Sequence, residues 1–308
     1  MSIEMTKTEL EDTFASTPDS PLFGNMAGVL GCAQEDIHVI EPIRAGNMNL
    51  IYKVEVGGEL YVYRHPGPGT ESIVDRTSEA VSQKVAGELG IDKTFVYQHP
   101  TDGWKISRFV ENVRPFEYHN KEHVASAMRI ARTLHGCGTD TGFKLDMHED
   151  TLKQIELLDE KWRGHFADFD EMLEIAERLN KVAAEHGSKI VLCHNDFYDT
   201  NFLVSDERID LIDWEFSGMS DYASDLAVFI CCSDYTYEES MEVLREYFGR
   251  ELTDEEMLHC ISYLAVISFH WLVWALYQEV VGASTPFLDI YYKYTQMFEQ
   301  AALKLLDE

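Results

Sequence analysis

Residues 260–278, CISYLAVISFHWLVWALYQ, carry no charged side chain over nineteen positions. That is about the length of a bilayer span, so the stretch must be buried either in lipid or in the middle of a large folded body. Ser262, Ser268, His270 and Gln278 interrupt it, and acidic residues flank both ends where a span shows a Lys/Arg bias. The expectation is a core helix without stable membrane insertion. A chain of 308 residues that is 45% hydrophobic can bury such a helix in one large domain or two closely packed lobes.

Charge narrows the partners. Asp plus Glu number 55 against 25 Lys plus Arg, a formal charge of -30. Such a field repels phosphate backbones, so nucleic acid is not expected as a partner, and it attracts small cations. None of the six cysteines forms a C-x-x-C pair, and most lie in apolar runs, as buried thiols do in a reducing cytoplasm. The first thirty residues carry acids and no apolar signal core. A cytoplasmic location is expected. No repeat is visible, and nothing in the sequence specifies an oligomer.

Along the chain the pattern changes once. Residues 1–36 read as a frayed extension and a short helix near 22–31. Residues 37–42, 50–56 and 60–63 have the β-branched and aromatic bias of strands, with a hairpin turn at Gly57-Gly58. A helix follows over 72–89, with Ser72 and Asp75 spaced as a capping box, then strands at 94–98 and 104–110. After Glu111 helices dominate, interrupted by β-like runs at 189–193, 201–204 and 209–212. The expected organisation is an extension (1–36), a small β-rich lobe with one long helix (37–110) and a larger, mainly helical lobe (111–308): an α+β, two-lobed fold.

The densest polar cluster lies between those β-like runs: HNDFYDTN (194–201), then LIDWE (211–215). A single Asp in a turn is usually a cap or an Asx-turn residue. An H-x-D-x-x-x-x-N loop followed twelve residues later by an apolar run ending in Asp is a different signal. Mg2+ takes hard oxygen ligands, a carboxylate or two beside substrate phosphates. Asp213 and the amide of Asn201 supply such oxygens, and Asp196 fits as the carboxylate that orients an attacking hydroxyl. This set suits phosphoryl transfer from ATP, where catalysis is mainly positioning and charge neutralisation.

Together these motifs resemble the signature shared by aminoglycoside phosphotransferases and choline/ethanolamine kinases. LIDWE followed by FSGMSDYASDLAVF is most similar to the bacterial choline kinase branch. The resemblance runs from about Ile40 to the C-terminus and implies a protein-kinase-like fold. It implies Asp196 as catalytic base, Asn201 and Asp213 as Mg2+ ligands, and Glu215 near the metal or the substrate. It makes His194 and Asp225 structural supports of the loop. In the small lobe it places Asn47 and Asn49 at the nucleotide phosphates, Arg64 on those phosphates with Glu79 as its ion-pair partner, and Phe109 and Glu111 at a hinge whose backbone meets adenine. HPGPGT and D-R-x-x-E (Asp75, Arg76, Glu79) belong to the same resemblance.

For the acceptor, Trp271 and Trp274 stand three apart and share a helix face, and Tyr291 follows in the next helix. Such a pair is often plain core. The family walls a quaternary ammonium with W-x-x-W and tyrosines, and aromatic faces attract such a cation. Many eukaryotic members carry a Glu on the helix after IDWE, where this chain has Cys231-Cys232. Choline is the expected acceptor, a small cationic alcohol. Ethanolamine, thiamine or an aminoglycoside is the alternative within the class, and a non-catalytic kinase-like binding module is the alternative outside it.

Overall fold

The computed structural model describes residues 7–17, 19–44, 49–70, 74–283 and 285–307. It forms two compact units, Met1–Arg114 with Leu203–Phe216, and Pro115–Phe202 with Ser217–Glu308.

The first unit is built on an antiparallel five-stranded sheet. Two helices, α1 (Lys7–Phe14) and α2 (Pro21–Leu30), precede β1 (Ile37–Pro42), β2 (Asn49–Val56) and β3 (Glu59–Pro66); α3 (Arg76–Glu88) leads to β4 (Phe95–Gln98) and β5 (Lys105–Arg108). The strand order is β1-β2-β3-β5-β4. Gly57 and Gly58 both have positive φ, 61° and 85°, which lets two residues close the β2–β3 hairpin with the twist of its strands. Strand alternation sends Leu50, Tyr52, Val54, Tyr63, Trp104 and Ile106 into a core with Leu22 and Met26 of α2. The short helix expected near 22–31 is α2, begun by Ser20 and Pro21 and closed by Gly31. Helix α1, not foreseen, is tied down because the Tyr52 hydroxyl donates to the Glu11 carbonyl and Arg44 pairs with Glu11 and Asp12. The N-cap of α3 is Asp75, which accepts from the N–H groups of Thr77 and Ser78; Ser72 lies outside the described residues.

Residues 203–216 follow the expected boundary in sequence yet pack with this first unit. Leu211 N–H bonds to Ile91 O at 3.1 Å, Lys93 N–H to Asp210 at 2.9 Å, and Arg114 N–H to Val204 O at 2.9 Å.

The second unit is mainly helical: α4 (Lys121–His135), α5 (Met147–Ile155), α6 (Glu160–Arg163), α7 (Phe169–Glu185), α8 (Ala223–Cys231), α9 (Tyr237–Phe248), α10 (Asp254–Val280) and α11 (Leu288–Asp307). Strand β6 (Ile190–Cys193) pairs antiparallel with β9 (Gly218–Asp221); between them in sequence come β7 (Phe202–Val204) and β8 (Ile209–Leu211), which after Phe202 belong to the first unit. The uncharged run lies inside α10, which Thr253 and Glu256 start with a capping box. Within its most apolar window 78% of the helix is buried in this unit. Phe269, Leu272, Val273 and Leu276 pack against Phe169, Met172 and Ala176 of α7. The helix therefore satisfies its apolar surface against protein.

Candidate active site

The first group of polar residues lies in the first unit. Tyr63 of β3 points into the core, so Arg64 beside it leaves on the opposite face; register places it across from Lys105 of β5. Arg64 donates through Nη2 to Glu79 of α3 and through Nη1 to Asp213 at 2.9 Å, and Glu215 lies 3.7 Å from Nη1. Arg76 Nη1 reaches the other Glu79 oxygen at 2.9 Å and Glu215 at 3.6 Å. Asn49 donates to Glu215 at 3.2 Å, and Lys105 donates to Gln83 at 3.1 Å. Three cations and three carboxylates thus share a site in which Arg64 is 4% and Glu79 0% exposed.

Their proton affinities follow from this crowding. Burial would weaken the hold of Arg64 on its proton, but Glu79, Asp213 and Glu215 outweigh it and raise its pKa. Burial would raise Glu79, but Arg64, Lys105 and Arg76 bring it below the usual carboxylate range. Glu215 is pushed up by burial and by Asp213. Lys105 is pushed down by burial and by Arg64. Asp213 sits at φ 66°, a left-handed backbone that costs a non-glycine residue about 1 kcal/mol or more. The turn aims a carboxylate that is 38% exposed, the most open of the three.

The second group is the 194–201 loop of the second unit. Asp225, in the first turn of α8 and 0% exposed, accepts the N–H of Asn195 at 2.7 Å and that of His194 at 3.0 Å. His135 Nε2 donates to it at 2.9 Å, and the Tyr247 hydroxyl lies 2.8 Å from His135 Nδ1. Burial would raise the Asp225 carboxyl, but the hydrogen bond and charge of His135, with His194, hold it below its ordinary value. Ser224 donates to the Asn195 side chain at 3.0 Å, and Asn195 has φ 62°. This frame presents Asp196. Asn201 donates its amide N–H to the Asp196 carbonyl at 2.7 Å and to the Asp196 carboxylate at 2.9 Å.

The aromatic set also lies in the second unit. Trp271 and Trp274 of α10 meet edge to face at 5.5 Å, and Tyr291 of α11 stacks on Trp271 at 5.9 Å. The Tyr291 hydroxyl pairs with the Cys232 thiol, which is in turn within electrostatic reach of Asp196 and Asp199. Tyr118 accepts the Asp199 N–H at 3.0 Å.

The residues named from the sequence thus fall into three groups. Asn49, Arg64, Glu79, Asp213 and Glu215 come together; so do His194, Asp196, Asn201 and Asp225; so do Trp271, Trp274 and Tyr291. Glu215, expected near metal or substrate, is bonded to Asn49 of β2. Asn47 lies outside the described residues. Phe109 gives its N–H to Leu60 O at 2.9 Å, so of the two hinge residues it has only its carbonyl to offer; Glu111 is exposed. Sequence reasoning assigned no role to Arg76, Lys105, His135 or Cys232. The R-x-x-E spacing was the signal for Arg76. Lys105 and His135 are brought in by strand register and helix packing, which leave no local pattern.

Two of these side chains have donor atoms suited to a hard divalent cation. The amide nitrogen of Asn201 is committed to Asp196, leaving its oxygen, and Asp213 has a carboxylate oxygen besides the one on Arg64. Each offers oxygen, the donor type that Mg2+ takes.

Known proteins resemble this chain over most of its length. A family model described as choline/ethanolamine kinase matches residues 40–267. The protein LicA of Haemophilus influenzae is 23% identical over 281 residues, 85% of this chain and 98% of that protein. The crystal structure of the choline kinase LicA from Streptococcus pneumoniae superposes with a TM-score of 0.69 at 22% identity, covering 93% of this chain and 98% of that one. A structure of LicA in complex with AMP gives 0.71 at 22% identity, with 92% and 98% covered.

Proposed function

Because the chain belongs to the choline/ethanolamine kinase family, we propose that it transfers the γ-phosphoryl group of ATP to the hydroxyl of choline, giving phosphocholine and ADP. Asp196 orients the hydroxyl and takes its proton as the new O–P bond forms and the bond to the β-phosphate oxygen breaks. Asn201 keeps the Asp196 carboxylate turned for this task through the 2.9 Å bond between them. Asp225 holds the loop through two backbone N–H groups, so both side chains are set before substrate arrives. Arg64 serves the nucleotide phosphates, with Glu79 fixing its guanidinium. Asn201 and Asp213 are the residues assigned to hold Mg2+, which when bound supplies positive charge to the phosphate oxygens. Asn49, with Asn47, belongs to the phosphate side; Phe109 and Glu111 belong to the adenine side. Trp271, Trp274 and Tyr291 recognise the trimethylammonium group, and the packing of Trp271 against both Trp274 and Tyr291 supports that role. Ethanolamine is the second reading, favoured by the family's own description. The free cysteines support a cytoplasmic setting.

The observation that carries the proposal is the Asp196–Asn201 pair on a loop fastened by buried Asp225. Asp196→Asn keeps the size of the side chain and removes the proton acceptor. It is expected to lower kcat by about 10²–10⁴-fold while nucleotide affinity stays within about threefold. Turnover within tenfold of wild type, measured by coupled ADP release with choline, removes Asp196 from the role of base.

A further inference from the structure

We infer that Arg76 is a positioning residue of the phosphate-side cluster: by engaging Glu79 and Glu215 it leaves Arg64 shared between Glu79 and Asp213 instead of drawn wholly onto Glu79 and Glu215. The inference rests on the role given to Arg64 above.

Arg76 is the first residue of α3, where a cation opposes the helix dipole and an acid is the stabilising choice. It is nonetheless 8% exposed and held from every side. Its Nη1 is 2.9 Å from Glu79 and 3.6 Å from Glu215, and its Nη2 donates to Thr70 Oγ1 at 2.7 Å. Thr70 itself donates to Gly67 O at 2.8 Å, so the guanidinium closes the 67–70 turn onto the helix. Gly103, at φ 71°, lies against the arginine stem: a Cβ there would come within 2.5 Å of Cδ and 2.9 Å of Nε. No residue with a side chain fits at 103 without moving Arg76.

The consequence follows from counting oxygens. Glu79 is fully buried and uses one oxygen for each arginine. Without Arg76 its second oxygen is buried and unpaired, a costly state that is relieved by a two-oxygen grip on the Arg64 fork. Glu215 loses Arg76 as well and keeps Arg64, at 3.7 Å, as its remaining cation in that bridge. Both changes draw Arg64 away from Asp213 and from any incoming phosphate. Nucleotide binding should suffer and acceptor binding should not.

The test compares Arg76→Met, Arg76→Lys and Arg64→Met by kcat, by KM for ATP and for choline, and by direct titration with ADP. Arg76→Met is expected to raise the ATP KM and the ADP Kd about tenfold or more, with the choline KM within about twofold. Arg76→Lys returns the charge but cannot span Thr70, Glu79 and Glu215 together, so it should fall between. Unchanged nucleotide constants, or equal shifts in both KM values, overturn the inference. If Arg64→Met leaves the ATP KM untouched, the role of Arg64 fails first, a result distinct from Arg64→Met failing to bind while Arg76→Met binds normally. Should Arg76→Met not fold, Gly103→Ala displaces the arginine stem and must reproduce the nucleotide-selective loss; an unchanged ATP KM there also overturns the inference.

Discussion

Replacing Glu299 by glutamine should stabilise the second unit at alkaline pH and do little in acid. Glu299 lies in α11, is 4% exposed, and has one carboxylate oxygen buried without a partner among the described residues. The donors nearby are spent elsewhere, since Tyr292 OH and Gln296 Nε2 both bond Asp168, at 2.9 and 3.1 Å. Burial first, then the charges of Asp168 and of Glu171 in the first turn of α7, push the Glu299 carboxyl up to about 8. In the unfolded chain it titrates near 4.3. The folded state therefore keeps a proton that the unfolded state has lost across about pH 4.3 to 8, so stability falls as pH rises through that window and the loss is complete above it. About 3.7 pH units at about 1.4 kcal/mol each set a ceiling of roughly 5 kcal/mol. Glutamine preserves shape, cannot ionise, and its N–H groups suit the two facing carboxylates. The variant should be more stable than wild type by about 2–5 kcal/mol at pH 8.5, the gap shrinking to about 1 kcal/mol at pH 5. Urea unfolding at several pH values, with hydrogen exchange followed in α11, measures this. A gap that does not change with pH, or a variant weaker than wild type at pH 8.5, refutes the reasoning.

Two further outcomes follow from the same geometry. Trp274→Ala should raise the choline KM by roughly 5–30-fold, the equivalent of a cation–π contact of about 1–2 kcal/mol, while the ATP KM holds; steady-state kinetics with each substrate varied will tell, and an unchanged choline KM moves the ammonium site elsewhere. Asp225→Asn puts an N–H group among the three donors from His194, Asn195 and His135. It should cost about 2–3 kcal/mol in thermal unfolding and lower kcat more than a hundredfold with the choline KM little changed; kcat within threefold of wild type would mean that the loop stands without its carboxylate anchor.

Much of the local structure was legible before any coordinates. Gly57-Gly58 set a two-residue hairpin because both positions need positive φ. The nineteen uncharged positions of 260–278 demanded burial, and the polar interruptions already argued for protein over lipid. HNDFYDTN and LIDWE could be singled out from the sequence because each is a contiguous polar segment beside an apolar run. That Asp75 caps α3 was not legible, since Ser and Asp both cap well and the choice rests on where the backbone turns into the helix.

What tertiary structure alone decided are contacts between residues far apart in sequence. Arg64 meets Asp213 across 149 positions, and Asn49 meets Glu215 across 166. Lys105 joins them through strand register, and His135 reaches Asp225 from the last turn of a helix 90 positions earlier. The packing of residues 203–216 with the small sheet has the same origin. Glu299 looked like any acid on an amphipathic helix until α7 brought Asp168 and Glu171 against it. A sequence encodes periodicity and short-range spacing directly, because these repeat within a helical turn or a strand pair. The partner of a buried charge is set by which surfaces close on one another, and that emerges only when the whole chain is packed.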